Sequence, residues 1–212
     1  MVTRVRRGDI GILVIDVQPF FLEWAFPDQA DAEPLLTRLE NLFLLAEWMD
    51  LPTVITYEIP TKDNGRLPER LEALAPTRAR HFEKDWHGAM AEKPISEAIV
   101  GLGVRQIAVV GAETDVCVLQ TVLGLLDAGY QVFVLEDCVS TTEPHPGPAL
   151  KRMYQAGAVP STLKTFSYEL TARVTDCPWY PDGYAMAEHD DARPFLEGFT
   201  LPEELPPWTP RY

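Results

Sequence analysis

Four short apolar runs constrain this chain more than any other feature: "IGILVID" (10–16), "PTVITYE" (52–58), "QIAVVGA" (106–112) and "QVFVLED" (131–137). They are rich in β-branched residues and do not alternate between apolar and polar positions. That pattern marks strands buried on both faces, as in a parallel sheet covered by helices. Helical patterns lie between them. Leu35, Leu36, Leu39, Leu42, Phe43, Ala46 and Met49 recur at offsets of three and four, and Val118, Leu119, Val122, Leu125 and Leu126 repeat the pattern further on. A third helix is expected over 95–102, and "GPALKRMYQAG" reads as a helix with Pro148 near its start and Gly157 past its end. Strands alternating with helices imply an α/β sandwich with right-handed crossovers. "RARHF" (78–82) is a further candidate strand.

A chain of 212 residues can close one sizeable core. No repeat or low-complexity linker divides it, so a single domain is expected over 1–172. Residues 173–212 differ in texture, with seven prolines and seven aromatics in segments such as "CPWYPDGY" and "LPEELPPWTPRY". Proline opposes regular structure while so many aromatic rings favour burial. This extension is therefore expected to pack on the domain or on a neighbouring subunit.

The formal charge of −14 opposes phosphate backbones and anionic membrane surfaces, and no apolar stretch is long enough to span a bilayer. Nucleic-acid and membrane partners are set aside in favour of a small-molecule substrate. Arg4, Arg6 and Arg7 precede an apolar run as in a signal peptide, but Asp16 interrupts it and no small-residue cleavage site follows. Cys117, Cys138 and Cys177 show no C-x-x-C spacing and cannot all pair within one chain. The expected compartment is the cytoplasm.

In an open parallel sheet, ligands bind outside the carboxyl ends of the strands. Asp16 ends the first strand, Glu58 the second, and Cys117 lies in "GAETDVCVLQT" between a strand and a helix. Each has a plain structural reading beside a chemical one. Asp16 suits a turn or cap, or a buried functional carboxylate. Cys117 suits a core thiol, or a nucleophile whose thiolate is favoured at a helix N-terminus. Lys84 in "HFEKDWHGAM" suits a solvated charge, or a group reaching the same rim. His81 and His87 are six apart, which is not the spacing of a helical metal pair, and "GLGVRQ" precedes the strand that a dinucleotide fingerprint would have to follow.

Taken in order, "LVIDVQPFF", the lysine in "HFEKDWHGAM" and "VVGAETDVCVLQTVLGLLDAGYQVFVLEDCVS" resemble the isochorismatase-like cysteine hydrolases, over roughly residues 9–172. The resemblance implies a three-layer, Rossmann-like sandwich on a mostly parallel six-stranded sheet with helices on both faces. It also implies assembly as a homodimer or homotetramer. It maps the catalytic groups to Asp16, Lys84 and Cys117, a cis peptide to Ala112–Glu113, and an oxyanion hole to the backbone N–H groups of Glu113 and Cys117. Lys84 would then stabilise a Cys117 thiolate. The stretch "TYEIPTKDNG" lacks the histidines of metal-dependent nicotinamidases in this family, so neither a metal nor another cofactor is expected. The retained cysteine favours cleavage of an amide or carbamoyl C–N bond over an isochorismate-type vinyl ether. Phe21, Glu58 and Trp86 are candidate pocket residues. A binding protein or a redox sensor on the same fold is the competing expectation.

Overall fold

The computed structural model describes residues 3–171; Met1, Val2 and residues 172–212, which include Cys177 and the proline-rich extension, lie outside the described residues. Among the described residues, six strands form one parallel sheet: β1 (Ile10–Ile15), β2 (Thr53–Glu58), β3 (Arg80–Lys84), β4 (Gln106–Ala112), β5 (Gln131–Ser140) and β6 (Val159–Ser161). Their spatial order is β3-β2-β1-β4-β5-β6. Every residue of β1 and of β4 is buried, which is why neither run alternates.

Alternate residues of β1 feed separate cores. Ile10, Ile12 and Val14 join the cluster built on α2 (Gln29–Met49) and α8 (Leu163–Thr171). Leu13 and Ile15 join the other, packed by α5 (Lys93–Val100), α6 (Leu119–Asp127) and α7 (Gly147–Ala156). Together the helices cover both faces of the sheet.

Several boundaries differ from the sequence expectation for identifiable reasons. Helix α2 begins at Gln29 rather than near Leu35, because the Asp28 carboxylate caps it by accepting from Ala30 N at 3.0 Å. Its first six residues carry no apolar period. Helix α5 covers 93–100 instead of 95–102, with Pro94 in its first turn. Strand β3 runs two residues later than "RARHF", and that shift puts Lys84 at its carboxyl end. Strand β5 continues past Asp137 to Ser140, with an irregularity in its pairing to β4 between Val109 and Gly111. Strand β6 is three residues long and gave no separate signal in the sequence.

The chain order reverses between β1 and β4, the arrangement that opens a crevice at the carboxyl ends of a doubly wound sheet. At this seam Gly111 carries φ +120°, and a Cβ there would lie 1.9 Å from the Ile15 carbonyl oxygen. Only glycine lets the two backbones approach so closely.

Candidate active site

Four neighbouring strands, β3, β2, β1 and β4, each deliver one reactive group to the crevice: Lys84, Glu58, Asp16 and Cys117. Lys84 ends β3 in register with Glu58 of β2. Asp16 follows β1 with φ +48°, a left-handed conformation rare outside glycine, asparagine and aspartate. Its N–H donates to the Thr56 carbonyl at 3.1 Å and its own carbonyl accepts from Gln18 N at 2.8 Å. Strain of this kind persists where the surroundings over-determine it, and it concentrates at functional sites.

Cys117 sits within a π-helical turn, Thr114–Val118, that runs into α6. The peptide joining Ala112 to Glu113 is cis, as is Ile59–Pro60. Successive side chains tie the turn to the end of β5. Glu113 Oε1 accepts from Thr142 N at 2.9 Å and from Thr142 Oγ1 at 2.6 Å. Thr114 Oγ1 donates to the Ser140 carbonyl at 3.1 Å, and Thr141 Oγ1 donates to Asp115 at 2.5 Å. The sulfur is thereby held by two strands rather than by its own turn alone.

Lys84 Nζ lies 2.7 Å from Asp16 Oδ2 and 3.5 Å from Cys117 Sγ. Asp16 Oδ1 accepts from Thr56 Oγ1 at 2.9 Å. Asp16, Lys84 and Cys117 are 0%, 1% and 2% exposed. Glu58 is the half-open member. Its Oε2 accepts the Cys117 thiol at 3.2 Å and lies 3.4 Å from Lys84 Nζ and 3.3 Å from His87 Nδ1. Gln18, which is fully buried, fixes the strand end behind it: Oε1 accepts from Glu58 N at 2.7 Å, while Nε2 donates to the carbonyls of Glu58 at 3.1 Å and Gly65 at 2.7 Å.

Burial and charge set the protonation states. Desolvation raises the Asp16 carboxyl above its usual range, against the pull of the Lys84 ammonium and the hydrogen bonds it receives. Desolvation works against the Lys84 ammonium, yet Asp16, Cys117 and Glu58 outweigh it and hold the lysine protonated. Glu58 also pays desolvation, which the thiol hydrogen bond, Lys84 and His87 overcome, so its carboxyl falls below the ordinary value. The thiol of Cys117 is pushed well up, first by burial and then by the Asp16 charge, with Glu58 adding to them and Lys84 opposing. Set against the expected thiolate, one ammonium does not offset burial and two carboxylates, and the balance favours the thiol.

Of the candidate pocket residues, Glu58 lies against the sulfur. Phe21, on α1 (Pro19–Ala25), is half-buried and packs edge-on to Phe20 at 5.4 Å. Trp86 is 63% exposed and lines a groove with Met90, Gln120 and Asp127. Among the described residues, no hydrogen bond, ion pair or ring contact joins Phe21 or Trp86 to Asp16, Lys84 or Cys117. His81 faces away from the sulfur group, hydrogen-bonded and stacked with Tyr57. Thr56, Gln18 and His87 took no part in the sequence-derived site. Thr56 was hidden inside an apolar strand run, Gln18 in a motif whose aspartate drew the attention, and His87 by its separation from any partner histidine.

The family model "Isochorismatase domain" matches residues 11–165, spanning all four of these groups. The chain belongs to the isochorismatase family. Among its isochorismatase relatives is family protein 1B of Dictyostelium discoideum, 40% identical over 169 residues, which cover 78% of this chain and 80% of that one. YcaC of Escherichia coli, described as a probable hydrolase, is 30% identical over 158 residues, covering 73% and 74%. The crystal structure of the E. coli YcaC gene product, an octameric hydrolase of unknown specificity, superposes with a TM-score of 0.76 at 27% identity over 89% of each chain. Membership places this chain among hydrolases with a six-stranded parallel α/β fold. No helix among the described residues is long and apolar enough to cross a membrane.

Proposed function

We propose that this isochorismatase-family protein cleaves an amide or carbamoyl C–N bond of a small molecule through a thioester on Cys117, with Asp16, Lys84 and Cys117 as its catalytic groups. The observation that carries the reading is the buried Lys84 ammonium, placed between the Asp16 carboxylate at 2.7 Å and the Cys117 sulfur at 3.5 Å.

Two carboxylates face the sulfur, and their proton affinities decide between them. Asp16 is raised and Glu58 is lowered, so Asp16 is the stronger base. As the substrate carbonyl arrives, the thiol proton passes to Asp16 and the sulfur forms the S–C bond. Lys84 stabilises the sulfur anion during that step. The developing oxyanion accepts from the backbone N–H groups of Glu113 and Cys117, each such donor being worth about 2.7 to 4 kcal/mol. The Asp16 proton goes to the leaving nitrogen as the C–N bond breaks. A water, deprotonated by Asp16, then attacks the thioester, the C–S bond breaks, and the sulfur takes back a proton. A buried acid with raised proton affinity suits both directions of transfer.

The test is ammonia release from a panel of small amides, ureido acids and carbamoyl compounds. The expected result is a responsive compound whose turnover is lost in both Cys117→Ala and Asp16→Asn, with circular dichroism unchanged. Turnover retained in either folded variant would overturn the assignment.

A further inference from the structure

Glu58, His87 and Cys117 offer a carboxylate oxygen, an imidazole nitrogen and a sulfur that all lie within 4.8 Å of one another. We propose that these three side chains form a reversible binding site for a zinc-class divalent cation, and that its occupancy silences the Cys117 nucleophile.

The ligand set matches a borderline-soft ion. Zinc is bound by thiolate at about 2.3 Å and by imidazole or carboxylate at about 2.0 to 2.2 Å, in tetrahedral geometry. Those bond lengths place two nitrogen or oxygen ligands about 3.3 to 3.5 Å apart and a sulfur and an oxygen about 3.5 to 3.7 Å apart. Here Oε2 to His87 Nδ1 is 3.3 Å, and Sγ to Glu58 Oε2 is 3.2 Å, so the sulfur and carboxylate need to part by only about 0.3 to 0.5 Å to admit the ion. The His87 side chain is 59% exposed, against 22% for Glu58, so the ring can turn to complete the coordination from the solvent side. Three protein ligands leave a fourth position for water, the open arrangement zinc adopts at non-structural sites. No spacing in the sequence marks this set, because its members follow three different strand ends and share no helical period.

Charge closes the argument. Asp16, Lys84 and Glu58 together carry −1. Coordination breaks the Cys117 S–H bond and sends its proton to solvent, taking the group to −2, which a divalent cation neutralises. Lys84 opposes the ion from 3.4 Å of Glu58 Oε2 and 3.5 Å of Sγ, but Asp16 at 2.7 Å from the ammonium offsets that repulsion. No electron transfer is involved. A hard ion such as magnesium, which prefers an all-oxygen octahedron, should not bind.

The experiment uses the full chain, limiting iodoacetamide and peptide mass spectrometry of the Cys117 peptide, with zinc chloride buffered by a chelator. Zinc should slow Cys117 alkylation at least tenfold, and magnesium should leave it unchanged. In His87→Ala the zinc concentration for half protection should rise at least tenfold, and Glu58→Gln should shift it in the same direction. Each ratio is taken within one variant, so altered basal reactivity cancels. Absence of zinc protection, or equal protection in His87→Ala, would overturn the site. Either result would leave the metal-free turnover assay, and the hydrolase proposal, standing.

Discussion

Cys117 and Cys138 are both buried thiols, carried on neighbouring parallel strands or the loop leaving one, and their surroundings could hardly differ more. Cys138 is fully buried within β5, its sulfur 3.7 Å from the Asp137 carboxylate, and the nearby Arg38 guanidinium is paired with that carboxylate at 3.2 Å. Burial raises its thiol well above the ordinary value, and Asp137 adds to the rise. Cys117 is also pushed up, but it meets an ammonium, a carboxylate of raised proton affinity and the half-open Glu58. Burial makes both thiols reluctant acids. On the proposed mechanism, what separates Cys117 from Cys138 is a cation on the sulfur itself, Lys84 at 3.5 Å, and a base of raised proton affinity beside it, whereas Arg38 pairs with Asp137.

The largest effect that sharpens the comparison is on turnover. Cys117→Ala should abolish hydrolysis of a responsive amide by on the order of 10⁴-fold or more. Cys138→Ser should leave turnover comparatively intact while costing about 1 to 3 kcal/mol in stability for a buried hydroxyl. Kinetics and thermal unfolding of the two variants measure this, and a Cys138 variant that loses turnover while remaining folded would break the contrast.

Asp16→Asn should lower turnover by about 10²- to 10⁴-fold, the range of a general acid–base group. The same change should make Cys117 more acidic, because it removes the negative charge that raises the thiol and leaves Lys84 uncompensated. The alkylation midpoint should stand above the free-thiol value of about 8.5 in the parent and fall in the variant. A more reactive sulfur with less catalysis distinguishes proton transfer from thiolate supply. A midpoint that rises instead would contradict it.

Stability should show the shared feature of the two thiols. Both are raised in the folded chain, so the folded state keeps its protons at a pH where the unfolded chain has lost them. The stabilisation is complete below about pH 8.5 and declines above it, by about 1.4 kcal/mol per pH unit for each group until the folded thiol ionises. Chemical denaturation between pH 8 and 10.5 should show this slope, reduced in either cysteine variant. A stability independent of pH in that range would rule out buried neutral thiols.

The smallest expected effect is at the brace between the strands. Thr142→Val removes the hydroxyl hydrogen bond to Glu113 but keeps the backbone one, and should cost about 0.5 to 1.5 kcal/mol of stability. Turnover should fall more than Km rises if the brace positions the Cys117 turn; an unchanged kcat would show that Glu113 is held sufficiently by Thr142 N.

The sheet was legible because strands buried on both faces leave uninterrupted apolar runs, as β1 and β4 do. Strand β6 was not, since three residues carry no period. Asp16 was conspicuous for a local reason, a carboxylate closing such a run. Lys84 needed the ordered resemblance to the isochorismatase-like family, because a lone lysine in "HFEKDWHGAM" looks like any solvated charge. The upward push on the Cys117 thiol is not legible in the sequence, which shows the lysine and both carboxylates but not the depth of burial or how near Glu58 comes to the sulfur. His87 belongs to the same stretch as Lys84, able to reach the rim, but only the fold brings it to Glu58.

The most direct measurement is acid quench during turnover, followed by peptide mass spectrometry. A mass increment equal to the substrate acyl group on the peptide containing Cys117, removable by hydroxylamine, is the predicted result. Turnover with the increment on another residue, or persisting undiminished in the Cys117→Ala protein, would contradict the central claim.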